Sequence, residues 1–257
     1  MKSSFLFVAI SGLILSLSGN SEEARYPLKV IDRPSVMPTK IIGISLNTSY
    51  KHEDKSVNAD INTDFGLANH LQGSFSWDGF AINTRDAQFD VKRTVNLGLK
   101  YNYLSCVPHV SLSATLRVPF HIWSGEILRD MTIGLPTVFY NDLMAGGLLG
   151  DLFTLTMRDK VAMKFDFKWW YGIQVYGNLW AAIDSSFGSV ELKNLNNKGD
   201  LVTKAFWQEL PLNLELVYAF NHYFDLGVNF GFSDALKAKD TFKAGLTFTA
   251  RAGKLFG

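Results

Sequence analysis

The chain holds one cysteine, Cys106, in 257 residues. A lone thiol excludes an internal disulfide, so an exported chain of this kind needs some other source of stability. Net charge is close to absent: 25 Lys and Arg stand against 24 Asp and Glu. That balance leaves no electrostatic footprint for nucleic acid, and none is expected as a partner. Long apolar runs are scarce after the first twenty residues. The mean hydropathy of +0.06 is far too low for a bundle of membrane helices. The uncharged stretch Trp169–Ile183 is too short to span a bilayer as a helix and carries two glycines. Phosphate-cradling glycine loops and dinucleotide fingerprints are missing. The histidines (His52, His70, His109, His121 and His222) sit without partners at metal-ligand spacing, so neither a metal nor a cofactor is expected.

What is present is alternation. From Leu210 the large apolar residues fall on every second position: Leu210, Leu212, Leu214, Leu216, Tyr218 and Phe220. Asn221-His222-Tyr223 interrupts the run. It restarts at Phe224, Leu226, Val228, Phe230 and Phe232, against Asp225, Gly227, Asn229, Gly231 and Ser233. A period of two split by a short polar break reads as a β-hairpin with one apolar and one polar face. Aromatics at 14% and 21 glycines suit an all-β chain.

The same pattern runs along the chain. Strands are expected at about 40–50, 57–67, 71–82, 89–104, 110–118, 131–140, 152–158, 161–171, 175–190, 210–220, 224–232 and 241–252. Pro136 makes the sixth loose or edge-like. Asn141–Gly150 is glycine-rich and shows no period, and Glu191–Lys204 reads as the longest polar loop. Turns after strands two, four, eight and ten are short, while most loops after odd strands are longer and charged. That asymmetry and the even count predict a closed antiparallel transmembrane β-barrel of twelve strands in the cell outer membrane, in contact with its lipid. Ten is the alternative count, because the Asp159-Lys160 turn is short where a long loop is expected.

Alternation alone does not say which face is inward. Two features point the apolar face at lipid. Strand-end aromatics form two girdles, Phe65, Tyr101, Tyr103, Tyr171 and Tyr218 at one level and Tyr50, Phe89, Phe120, Phe187 and Phe242 at the other. The all-large face of Leu210–Phe220 would overfill a small core. The reverse arrangement is a soluble exported barrel that buries a ligand.

Residues 1–19 read as a secretory signal, with Lys2, an apolar Phe5–Leu17 and small residues near the cut. Residues 20–39 carry three prolines and no alternation, and are expected to be an extended periplasmic lead-in to a barrel over 40–257. The run Tyr26-Pro27-Leu28-Lys29-Val30-Ile31-Asp32-Arg33-Pro34, followed by a proline and a first strand, resembles the lead-in of a broad, porin-like group of bacterial outer-membrane β-barrel proteins. The resemblance implies a barrel, a compartment and insertion by the barrel assembly machinery, not a substrate. Barrels of this class commonly end on an aromatic residue; here Phe256 precedes a final Gly257.

The inward face carries seven charges of each sign. Asp60, Asp64, Lys100, Arg117, Lys164, Asp166, Lys168, Asp184, Glu215, Lys243 and Arg251 are the pore-lining candidates, with Asp78, Arg158 and Asp225 beside them. Buried unpaired charge is costly, so these groups need water or each other. An aqueous passage for small polar solutes is one reading. A narrow, salt-bridged barrel with a structural or assembly role is the other. A barrel hydrolase is a third: His109 and Ser111 share a face, as the base and nucleophile of outer-membrane phospholipases do. The pair points inward near a predicted periplasmic turn, and no matching Asn follows on strand six. No catalytic residue is assigned and the chain is read as a non-enzyme. Neither the solute nor the oligomeric state is written in the sequence.

Overall fold

The computed structural model describes residues 26–106, 110–121, 130–148, 153–157, 161–193, 199–205 and 208–253. The expected signal segment, His109, Arg158 and the Phe256-Gly257 end lie outside the described residues. Sixteen strand segments join one antiparallel sheet that closes on itself. They are β1 (Ile41–Lys51), β2 (Ser56–Ala68), β3 (Leu71–Asn83), β4 (Gln88–Val91), β5 (Thr94–Cys106), β6 (Val110–His121), β7 (Asp130–Gly134) and β8 (Thr137–Tyr140). The second half contains β9 (Met144–Leu148), β10 (Phe153–Met157), β11 (Val161–Tyr176), β12 (Leu179–Lys193), β13 (Asp200–Ala205), β14 (Leu212–Ala219), β15 (Phe224–Phe232) and β16 (Phe242–Gly253). Four staves of the wall are each built from two segments: β4 with β5, β7 with β8, β9 with β10, and β13 with β14. The barrel therefore has twelve staves, and ten is excluded.

Closure is made by β1 on β16, in register from Ile41 opposite Gly253 to Lys51 opposite Lys243. A closed ladder leaves no backbone N–H or C=O to face hydrocarbon, which is the condition for spanning a bilayer with strands. Among the described residues no helix is long and apolar enough to cross. Trp169–Ile183 is instead parts of β11 and β12 joined by a tight turn at Gly177-Asn178, where Gly177 takes φ +40°.

The faces are oriented as expected. Leu46 is 42% exposed, Leu246 51% and Phe248 44%, while their neighbours Asp225 and Gly227 are buried. Leu212, Leu226 and Phe165 stay half-exposed on the outer surface and form no dry centre. A soluble barrel with an apolar core is thereby ruled out.

Three boundaries differ from the sequence reading. Met144–Leu148 pairs with Ile173–Trp169 and forms half of the seventh stave. Its missing period has a local reason: Gly147 lies where a Cβ would strike the Thr137 carbonyl, so two glycines replace the usual large residues. The eighth stave runs on to Tyr176 rather than stopping at Tyr171. The stretch expected as the longest loop is largely strand, because β12 continues to Lys193 and Asp200–Ala205 returns along it. Pro136 behaves as expected. It interrupts the sixth stave between β7 and β8, and its carbonyl accepts from Ser113 N at 3.0 Å. The turn after that stave, Asn141–Leu143, is short. Asn141 Oδ1 accepts from the backbone N–H of Leu143 and Met144, so the described turns after even staves are all tight.

Candidate functional site

The lumen is lined by the polar residues of alternate positions. On the wall made by β1, β2, β3 and β5, each carboxylate is held by a neutral amide. Asn47 Nδ2 and Asn62 Nδ2 donate to Asp60 Oδ1 at 2.6 and 3.1 Å. Gln72 Nε2 donates to Asp64 at 2.8 Å, and Asn96 Nδ2 to Asp78 at 3.2 Å. An amide orients a carboxylate without cancelling its charge. Asp64 keeps Lys100 and Arg117 within Coulomb reach. These residues surround a cavity of about 290 Å³ lined by Asn47, Asn62, Asp64, Ser74, Ser76, Asn96 and Arg117 among others.

Across the lumen, Lys164 pairs with Asp166 at 2.8 Å. Asp184 accepts from Asn213 Nδ2 at 2.9 Å, and Glu215 lies near it. Lys243 shares this level with Asp184, Lys168 and Lys51. Of the sequence-predicted lining residues, the cavity is bordered by Asp64 and Arg117. Two others are differently occupied: Lys100 and Arg251 are engaged by a segment that crosses the lumen.

That segment is Tyr26–Lys40, the stretch the sequence reading placed ahead of the barrel. It lies inside the ring at the end of the short turns. Pro27, Pro34 and Pro38 lack the N–H that a ladder needs, and the segment makes a single 3-10 turn at Val30–Asp32. Its contacts reach side chains all round the wall. Met37 N donates to Gln72 Oε1 at 2.7 Å, Asn102 Nδ2 to Ser35 Oγ at 2.6 Å, and Ile31 N to Gln174 Oε1 at 3.4 Å. Lys100 Nζ donates to the Ser35 carbonyl, and His222 Nδ1 to the Tyr26 carbonyl at 2.6 Å. Only a chain within the cylinder meets β3, β5, β11 and the β14–β15 turn together.

Two anchors hold it. The first is apolar: Ile31 is 7% exposed and packs with Trp180 and Ala145, flanked by Val30, Trp170, Tyr140 and Val217. These wall residues occupy inward positions that elsewhere are polar. The second is ionic. Arg33 donates twice to Asp225, and Arg251 Nη2 donates to the same carboxylate. The Tyr26 ring lies against both cations, 4.6 Å from the Arg251 guanidinium carbon and 5.5 Å from that of Arg33. Burial pushes the Tyr26 phenol up from its ordinary value, against the pull of both guanidinium groups, so it stays neutral.

The wall and the lumen can be set beside known folds. The fold matches a NanC porin structure with TM-score 0.54 and 7% identity, over 82% of this chain and 100% of that one. It matches an outer membrane channel from Pseudomonas putida F1 with TM-score 0.54 and 11% identity, over 86% and 98%. No family model and no curated protein matches the sequence. At such identities the likeness is one of fold, and the apolar outer face of this chain supplies the rest. The chain has the fold of an outer-membrane β-barrel. Its outward Leu, Phe and Tyr rows sit in lipid, and its inward charges share an interior with the crossing segment.

Sequence reasoning missed the strap because extended proline-containing segments carry no periodic trace of what they touch. The hints lay in the wall. Trp170, Val217 and Ala219 are apolar residues on the polar side of their strands, and they cluster at one end. Ser111, half of the His-x-Ser pair, is 2% exposed, and its hydroxyl has no hydrogen-bond partner among the described residues.

Proposed function

We propose that this barrel is a passive channel for small polar solutes, and that it does no chemistry. The observation that supports it is the state of the lumen carboxylates. Asp60, Asp64, Asp78 and Asp184 are each bound by an Asn or Gln amide, with no direct ion pair among the described residues. Charges kept in that way need water beside them. A watered lumen with charge of both signs favours small hydrophilic solutes over apolar ones. Among the described residues no serine or threonine nucleophile has a base in hydrogen-bond reach, and Ser111 Oγ is buried without a partner, so a hydrolase is the weaker reading. Insertion by the barrel assembly machinery is part of the same reading.

The test is single-channel recording after reconstitution in a planar bilayer, with reversal potentials in a salt gradient. Discrete ohmic steps are expected. A specific observation favours a second reading, a barrel without conductance: the strap crosses the lumen at one mouth. A folded protein that stays silent at every voltage, including in variants without the strap's anchors, would establish that reading instead.

A further inference from the structure

We propose that Tyr26–Pro38 is a seated plug, and that its release from the Asp225 latch sets how far the barrel conducts. The proposal rests on the channel reading above. Its first support is that the strap can leave without breaking the wall. None of residues 26–38 belongs to a ladder, and the one bridge nearby, Thr39 with Gly66, lies at the strap's end. Lys40, at φ +67°, is the bend that joins strap to β1. Everything else holding the strap is a side-chain contact.

The second support is the latch itself. Asp225 accepts from Arg33 of the strap and from Arg251 of the wall. When Arg33 departs, Asp225 keeps Arg251, so the vacated wall holds a neutral pair rather than a bare buried carboxylate. Release therefore leaves no bare carboxylate behind, and the seated state holds two cations on one carboxylate, an excess of charge that departure of Arg33 relieves. The third support is the socket. Inward residues of β8, β9, β11, β12 and β14 form an apolar cluster around Val30 and Ile31. A lumen built solely for polar solutes has no use for Trp170 and Trp180 there.

The test uses the full chain in planar bilayers, with folding verified by heat-modifiable gel migration. Arg33→Ala and Ile31→Asp each remove one anchor and are expected at least to double the mean conductance. A third variant, Ser35→Cys with Asn102→Cys in a Cys106→Ser background, pins the strap when treated with a short bis-methanethiosulfonate cross-linker. Cross-linking is expected to lower conductance and abolish large openings, and reduction to restore them. Because it removes no buried charge, this variant decides the matter even where the others fail to fold. Equal conductance with and without the cross-link overturns the plug while leaving the channel intact. Silence in every variant, cross-linked or reduced, overturns both.

Discussion

Arg33 and Asp225 meet as two planes: Nη1 donates to Oδ2 at 2.7 Å and Nη2 to Oδ1 at 2.9 Å. The side chains are 12% and 5% exposed, 192 residues apart in sequence. A fork-to-fork pair of this kind fixes direction as well as distance. It ties the strap to a carboxylate that already has a cation from the wall, Arg251.

The two halves of the pair are not equivalent under mutation. Arg33→Ala leaves Asp225 with Arg251, and the loss should be about 1.5–3 kcal/mol, the range for hydrogen bonds to charged groups. Asp225→Asn leaves two guanidinium groups facing each other with no anion between them. Stripping a buried pair of its partner costs roughly 3–5 kcal/mol. Urea unfolding in liposomes, followed by tryptophan fluorescence, should rank Asp225→Asn below Arg33→Ala. The reverse ranking would mean that the second arginine does not share the carboxylate.

Neighbouring residues on one strand should respond in opposite ways to the same charge. Leu46, near the middle of β1, faces lipid, whereas Ser45 faces the lumen and contacts Thr249 Oγ1 at 2.8 Å. Leu46→Arg should cost about 2–4 kcal/mol, the penalty for a cation near the bilayer midplane. Ser45→Arg should fold and instead reduce conductance, because it projects into the cavity beside Asn47 and Asn62. Folding yield into vesicles and single-channel current measure the two effects separately.

Asp60 on β2 and Asp78 on the adjacent β3 lie within Coulomb reach of each other, and both are bound by amides. Their fields reach mobile ions in a way that a salt-bridged carboxylate would not. Replacing both with Asn should shift the reversal potential towards anion preference without changing stability by more than about 1 kcal/mol, since the amide–amide geometry can be kept. An unchanged reversal potential would place the ion path elsewhere.

Much of this architecture could be read from the chain, for a physical reason. A residue between lipid and a watered lumen has only two environments, so Leu212–Leu214–Leu216 against Asn213–Glu215 writes the wall directly. The legible part ended where a residue had a third environment. Trp170, Trp180 and Val217 face inward yet touch apolar Ile31. Met144–Leu148 sits where backbones crowd and glycine replaces the side chains that would show a period. The lining charges could be assigned to the inside by parity, but not matched with partners. That Asp225 serves Arg33 depends on a strap whose path no local pattern records.

Two glycines separate crowding against lipid from crowding inside the socket. A Cβ at Gly73 would lie 2.3 Å from the Phe65 ring, and one at Gly172 would lie 2.1 Å from the Trp180 ring. The distances are alike but the rings are not equally free. Phe65 lies on the outer face and can swing into hydrocarbon, so Gly73→Ala should be within about 0.5 kcal/mol of neutral. Trp180 is 4% exposed, packed against Trp170 at 6.4 Å between centroids and against Ile31. It has nowhere to go, and Gly172→Ala should cost roughly 1–3 kcal/mol as an overpacked site. The displaced ring should also loosen the strap, so the same variant should show a red-shifted tryptophan emission and faster proteolysis after Lys29. Wild-type emission and protection in Gly172→Ala would mean that the socket yields more easily than its packing implies.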